Sequence, residues 1–267
     1  MQQNQYLNDY YSAIEEDKRL ITQHGLVEYE TTMRYIGKYL NPGSKILEIG
    51  AGTGRYSHAL SREGYKVDAV ELISHNIEIF HKNTQPHEKI RMIQGNAMDL
   101  NMFENNSYDI TLLLGPLYHL FFEQDKQKAL SEAIRVTKKG GVVFAAYCIS
   151  DASVLDYGFK KGHIHELIEK DMLDTESFQT FSKPSDLFEL HRKEDIDALM
   201  KNYAVTRLHY VATDGFTRHM TETVDNMDRE TFDIYLKYHF AVCERSDMVG
   251  ITHHALDIFL KDETPST

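Results

Sequence analysis

Leu47-Glu48-Ile49-Gly50-Ala51-Gly52-Thr53-Gly54 is the stretch that decides the fold. It closes a short β-rich run, residues 45–49 (KILEI), and opens residues 56–62, whose pattern predicts a helix. Glycine between a first strand and a first helix lets backbone approach a ligand at the end of an open α/β sheet, where ligands bind. Spacing narrows the ligand. A dinucleotide turn, G-x-G-x-x-G, needs a third glycine where Arg55 stands. A phosphate loop, G-x-x-x-x-G-K-[ST], counted from Gly50, Gly52 or Gly54, meets Arg55, Ser57 or Ala59. The pattern that remains is E-x-G-x-G-x-G.

Working outward, strands and helices alternate. Residues 67–70, 90–93, 108–114 and 142–148 read as strands, with helices over 76–83 and 125–137 between them. Gly140-Gly141 is expected to end the second of these helices and open the fifth strand. Such alternation makes a parallel sheet with helices on both faces. Residues 203–212 and 250–260 add two strands flanking a helix over 231–241, for seven strands in all. Residues 1–40 are helical by periodicity and end at Asn41-Pro42-Gly43. The expected organisation is a single domain over 1–267, with an N-terminal helical cap (1–44) and a helical lid or insertion (151–200) before the last two strands. The final DETPST reads as a frayed tail.

LEIGAGTG resembles motif I of the class I S-adenosylmethionine-dependent methyltransferases, and three further landmarks follow in order. Glu71 ends the second strand about 17 residues after Gly54, near the spacing of roughly 20 at which an acid takes ribose hydroxyls. Gln94-Gly95-Asn96-Ala97 is similar to the family's G-D-A turn, with Asn96 where Asp is common. Leu114-Gly115-Pro116-Leu117-Tyr118-His119-Leu120 resembles a segment of small-molecule enzymes in the ubiquinone/menaquinone C-methylase-like superfamily. The resemblance is strong over residues 45–148 and almost absent in the insertion. It implies a Rossmann-like, mostly parallel sheet and S-adenosylmethionine as cofactor. Its implied binding residues are Tyr11, Arg19, Glu48, Gly50, Ala51, Gly52, Gly54, Glu71, Leu72, Asn96, Ala97 and Leu114.

The implied reaction is methyl transfer by in-line attack, which asks mainly for alignment and exclusion of water. A base is needed only where the acceptor is protonated. Tyr118 and His119 leave the fourth strand beside the expected methyl group and are the catalytic candidates; His119 could take a proton near neutral pH, or be a side chain packed between Tyr118 and Leu120. Arg19 is expected to pair with a carboxylate of cofactor or substrate, against the plainer reading of 15–19 as a solvated face.

Composition excludes other classes. With 41 acidic and 29 basic residues, net −12, the chain lacks the cationic surplus that phosphate backbones require. Apolar residues at 42% and charged residues at 26% describe a globular chain. Two cysteines, Cys148 and Cys243, are too few for a disulfide framework and suit a reducing compartment. No leader pattern opens the chain and no apolar stretch approaches the roughly 20 residues of a membrane helix. The expectation is a cytoplasmic enzyme with a small-molecule acceptor, no nucleic acid and no membrane. Among 14 histidines, the pairs His163/His165 and His253/His254 lack i,i+4 ligand spacing, and no metal is expected. A methyltransferase acting on RNA or protein, and a non-catalytic cofactor-binding protein, are the rival readings. The acceptor atom and the oligomeric state stay open.

Overall fold

The computed structural model describes residues 2–14 and 16–263; Met1, Glu15 and the 264–267 part of the expected frayed tail lie outside the described residues. The strands are β1 (Lys45–Ile49), β2 (Lys66–Glu71), β3 (Ile90–Gln94), β4 (Tyr108–Leu113), β5 (Thr137–Ile149), β6 (Leu190–His191), β7 (Val205–Ala212) and β8 (His254–Lys261). They form one sheet in the order 3-2-1-4-5-8-7, with two-residue β6 beside β5. β1 to β6 pair in parallel, and β8 runs antiparallel to both β5 and β7. The seven strands expected are present, and β6 is an addition too short to show a period. Chain order reverses at β1, with β2 on one side and β4 on the other, so a crevice opens at the carboxyl ends of these strands.

Alternation along the strands divides the core between the two faces of the sheet. Leu47, Ile49, Val70, Leu113, Val143 and Ala145 pack in one cluster. Ile46, Val67, Ile110, Leu112, Val142 and Phe144 pack in the other. Both faces are covered, which is why the central strands read as nearly continuous apolar runs. Leu112 is fully buried, and cutting it to Ala should cost about 2–5 kcal/mol.

Three N-terminal helices, α1 (Gln2–Ala13), α2 (Glu16–Arg19) and α3 (Gln23–Gly37), precede the sheet. The Thr22 side chain caps α3 by accepting from Gly25 N. Crossover helices α4 (Arg55–Arg62), α5 (Ser74–Asn83) and α6 (Glu123–Val136) follow β1, β2 and β4. The insertion carries α7 (Ser150–Ser153), a π-helical segment (Val154–Lys160), α8 (Ile164–Glu169) and α9 (Lys193–Met200). Helices α10 (Thr221–Asp225) and α11 (Arg229–Val242) link β7 to β8.

Two expected boundaries move. β5 begins at Thr137 and not after the glycines: Tyr108 pairs with Thr137 while Ile110 pairs with Val142, so β5 bulges between them. Gly140 takes φ +72° in that bulge, and a Cβ on Gly141 would stand 2.9 Å from the Asp109 carbonyl oxygen. β8 begins at His254 and not at 250, because Val249–Ile251 curl into a 3-10 turn.

Candidate active site

The crevice at β1 is a cavity with an empty volume of about 1400 Å³, open mouth included. Its floor is the glycine turn. Gly50 N and Ala51 N donate to the Val70 carbonyl at 2.8 and 3.1 Å, folding the turn back over β2. The three glycines have different reasons to be glycine. A Cβ on Gly50 (φ +77°) would meet Pro116 Cδ at 2.6 Å. On Gly52 (φ +54°) it would meet nothing within 4 Å and would project into open space. On Gly54 it would strike His58 Nε2 and the Phe80 ring at 2.6 Å. Gly54 does not line the cavity among the described residues, so its expected binding role is corrected to one of helix packing.

The other expected cofactor residues, Tyr11, Arg19, Glu48, Gly50, Ala51, Gly52, Glu71, Leu72, Asn96, Ala97 and Leu114, all line this one cavity. Glu71 Oε2 accepts from Gly52 N at 2.8 Å, and Oε1 accepts from Ile73 N at 2.8 Å. Burial raises its pKa against these backbone donors. Oε1 also accepts from Asn76 Nδ2 at 3.4 Å, which leaves Oε2 with a lone pair to offer a hydroxyl. Asn96 Oδ1 accepts from Met98 N at 2.9 Å, so part of the capacity expected for adenine closes its own turn. Glu48 is buried with Ser57 Oγ donating to it, and desolvation pushes its pKa up to about 8. At neutral pH this acid is largely protonated.

His119 is placed beside the cavity, but not as a neutral-pH base. Its Nδ1 lies 2.7 Å from the Leu187 carbonyl oxygen, which can only accept. Nδ1 therefore carries the proton, and Nε2 accepts from Tyr11 Oη at 2.8 Å. Burial lowers the imidazole to about 4, despite the Leu187 bond. The lone pair expected to take a substrate proton is engaged with Tyr11. His119 is thus a positioning residue that ties α1 to the cavity rim, while Tyr118, its pKa raised well above the usual phenol value by burial, keeps its place on the wall.

The insertion also departs from expectation. Among the described residues, none of 151–200 lines the cavity. The segment works from behind, through the Leu187 carbonyl and through Phe188, whose ring sits 5.2 Å from His119 and 5.7 Å from Tyr10. The N-terminal cap is what covers the cavity, contributing Asn4, Leu7, Tyr11, Arg19 and Glu28.

One cluster escaped the sequence reading. Arg19 donates from Nε to Glu16 at 2.8 Å and from Nη1 to Glu28 at 2.7 Å, in place of the ligand carboxylate expected. Glu28 Oε2 also lies 3.5 Å from His254 Nδ1, which is 3.0 Å from Asp214 Oδ2. Asp214 is fixed in turn by Thr252 Oγ1 at 2.5 Å and His253 N at 2.9 Å. Burial works against charge on His254, yet Glu28, the nearby Cys148 thiol and Asp214 together hold its pKa well above the ordinary imidazole value. Burial likewise opposes ionising Glu28, and Arg19 outweighs it, holding that carboxyl low. The ligand-type atoms of Glu28, Asp214 and His254 lie within 4.8 Å of one another. The Arg19 guanidinium supplies the positive charge there. His253 turns elsewhere, 4.0 Å from Asp156 and 5.1 Å from the His219 ring. Residues 28, 214 and 254 share no motif, and no sequence signal joins them.

Residues 47–145 match the family model described as a methyltransferase domain. The chain is 26% identical over 166 residues to a glycine/sarcosine N-methyltransferase of Aphanothece halophytica, covering 61% of each protein. It is 30% identical over 115 residues to a demethylmenaquinone methyltransferase of Lysinibacillus sphaericus, covering 42% of this chain and 47% of that one. The chain thus spans only about half to three-fifths of these curated relatives. In fold it is similar to a Pyrococcus horikoshii protein, with TM-score 0.60, 16% identity and coverage of 95% and 99%. An S-adenosylmethionine-dependent methyltransferase of Thermotoga maritima gives TM-score 0.58, 18% identity and coverage of 97% of both chains.

Proposed function

We propose that this chain, whose residues 47–145 match a methyltransferase domain, transfers a methyl group from S-adenosylmethionine to a small-molecule acceptor. The observation that carries the reading is the single cavity. One half offers the Gly50–Gly52 turn, Glu71 and the Asn96–Ala97 turn, and the other is a polar chamber walled by Tyr118, Glu28 and His254. The first half suits the cofactor. Gly52 leaves its approach open, Glu71 Oε2 retains a lone pair for the ribose, and Asn96 and Ala97 border the adenine. When bound, the cofactor brings a methyl group already activated on sulfur, so the protein's task is alignment and exclusion of water.

The chain's own residues divide that task. Tyr11, held by His119, covers the junction of the two halves. Tyr118 forms the wall at which the acceptor meets the methyl group. No proton is moved by His119, whose free lone pair is spent on Tyr11. The chemistry is read as metal-independent, since Arg19 already neutralises Glu28. The two curated relatives named above are described by small-molecule substrates, and net charge −12 opposes a nucleic-acid acceptor. Among the described residues no helix is long and apolar enough to cross a membrane. Cys148 and Cys243 are free and buried, which suits a reducing cytoplasm.

Incubating the protein with a metabolite extract and donor labelled in the methyl group tests this. Label should enter a low-molecular-weight product. Label only in protein or RNA, or none while the cofactor binds, would overturn it.

A further inference from the structure

The chamber beyond the cofactor half has a definite charge pattern. Glu16, Arg19, Glu28, His254 and Asp214 form a line of alternating charge, each in contact with the next. His254 pairs with Cys148 across β5 and β8. β8 lies three strands from β1 in the sheet order, roughly 14 Å at about 4.8 Å per strand. A methionine chain packed on the β1 turn does not extend there, so this end belongs to the acceptor.

Some of the hydrogen-bonding capacity in this line is spent and some is not. Glu28 uses Oε2 for both Arg19 and His254, and among the described residues Oε1 has no hydrogen bond. Arg19 uses Nε and Nη1, and Nη2 has none. His254 gives Nδ1 to Asp214, and a further partner of the ring is the Cys148 thiol, a weak acceptor that a carboxylate outcompetes for Nε2. All three residues line the cavity. The chamber therefore offers one anionic acceptor beside two cationic donors.

Resting on the methyl-transfer reading, we propose that this end takes the acceptor as an amino acid or a similarly compact zwitterion, its nitrogen on Glu28 Oε1 and its carboxylate on Arg19 Nη2 and His254 Nε2. A quinol or other apolar acceptor would strip water from these charges without replacing it, which is costly. A simple amine would leave Arg19 unanswered, and a simple carboxylate would be forced against Glu28. A zwitterion answers both and adds no net charge. Guanidinium and carboxylate also match as a planar pair. The nitrogen first loses one proton to water. Its lone pair then forms the N–C bond while the C–S pair stays on sulfur. The positive charge passes from sulfur to nitrogen and remains beside Glu28.

The test uses the full chain in two arms. First, protein saturated with S-adenosylhomocysteine is titrated calorimetrically with the twenty common amino acids, each paired with its carboxamide and its deaminated acid. At least one amino acid should bind, with both partners at least tenfold weaker. Second, the binder is assayed for methylation at nitrogen. Glu28→Gln and His254→Gln should each raise its KM at least tenfold, with the cofactor Kd unchanged within twofold. That cofactor Kd certifies the fold of either variant. Absence of binding by every amino acid, or equal binding by the uncharged partners, overturns the zwitterion subsite. Binding without methylation would leave the subsite standing and remove the methyl-transfer reading.

Discussion

The Tyr11–His119 contact gives the sharpest perturbation. Tyr11 Oη donates to His119 Nε2 at 2.8 Å, and this bond ties α1 to the turn after β4. A net hydrogen bond is worth about 0.5–1.5 kcal/mol, or roughly 2- to 13-fold in an equilibrium constant. Tyr11→Phe removes the donor and keeps the ring, while His119→Phe removes the acceptor. His119→Phe also leaves the Leu187 carbonyl without its donor, adding about 1–3 kcal/mol of desolvation cost. Affinity for S-adenosylhomocysteine, measured by calorimetry in wild type, both single variants and the double variant, forms a cycle that isolates the pair. If the bond holds α1 over the cofactor, each single variant should bind several-fold more weakly, and the coupling should be about 0.5–1.5 kcal/mol. Turnover at saturating cofactor should fall far less than the roughly 10²–10⁴-fold expected on losing a general base. Additive effects on affinity, or a base-sized loss of turnover with affinity intact, would refute the positioning role.

Other consequences are as direct. Glu71→Ala should weaken the cofactor at least tenfold and also lower the melting temperature, because Gly52 N and Ile73 N lose their acceptor. Gly52→Ala, strained at φ +54° but free of any clash, should cost less stability than Gly54→Ala and should block the cofactor, whereas Gly54→Ala adds to its own positive-φ strain a Cβ driven into Phe80; thermal melts with and without cofactor separate the two. For Glu48, pushed up to about 8 in the fold from an ordinary 4.5, stability is fully present below pH 4.5 and is lost as pH rises through 8. Glu48→Gln should flatten that part of a urea-unfolding profile taken across pH, and an unchanged slope would count against a protonated Glu48. His119, lowered to about 4, acts in the opposite sense: its contribution is full above pH 6.5 and lost as pH falls to 4, so folding stability should fall in that window and lose that part of its dependence in His119→Phe, while cofactor affinity weakens only near and below pH 4.

Much of this was legible in the sequence because local rules wrote it there. The glycine turn, Glu71 at the end of β2 and the Asn96 turn sit within a few residues of strand ends, so spacing along the chain maps onto the crevice. The misreadings share a different cause. Gly54 looked like its two neighbours, and only its contact with Phe80, 26 positions on, shows why it is glycine. The Gly140-Gly141 pair looked like a helix stop, although it is a bulge forced by pairing with β4. For His119 the sequence leaves a base and a packed side chain both open, since an isolated imidazole titrates near 6.5. Its burial and its bonds to residues 11 and 187 are set by tertiary structure. The Glu28–His254–Asp214 line spans more than 200 residues of chain and carries no period.

The most direct measurement is a calorimetric titration of the full chain with S-adenosylhomocysteine, beside a thermal melt. The account predicts one saturable site and, at 100 times the dissociation constant, about 2.7 kcal/mol of added stability. An unmoved melt and no heat with this ligand, with a shift produced by NAD in its place, would contradict it.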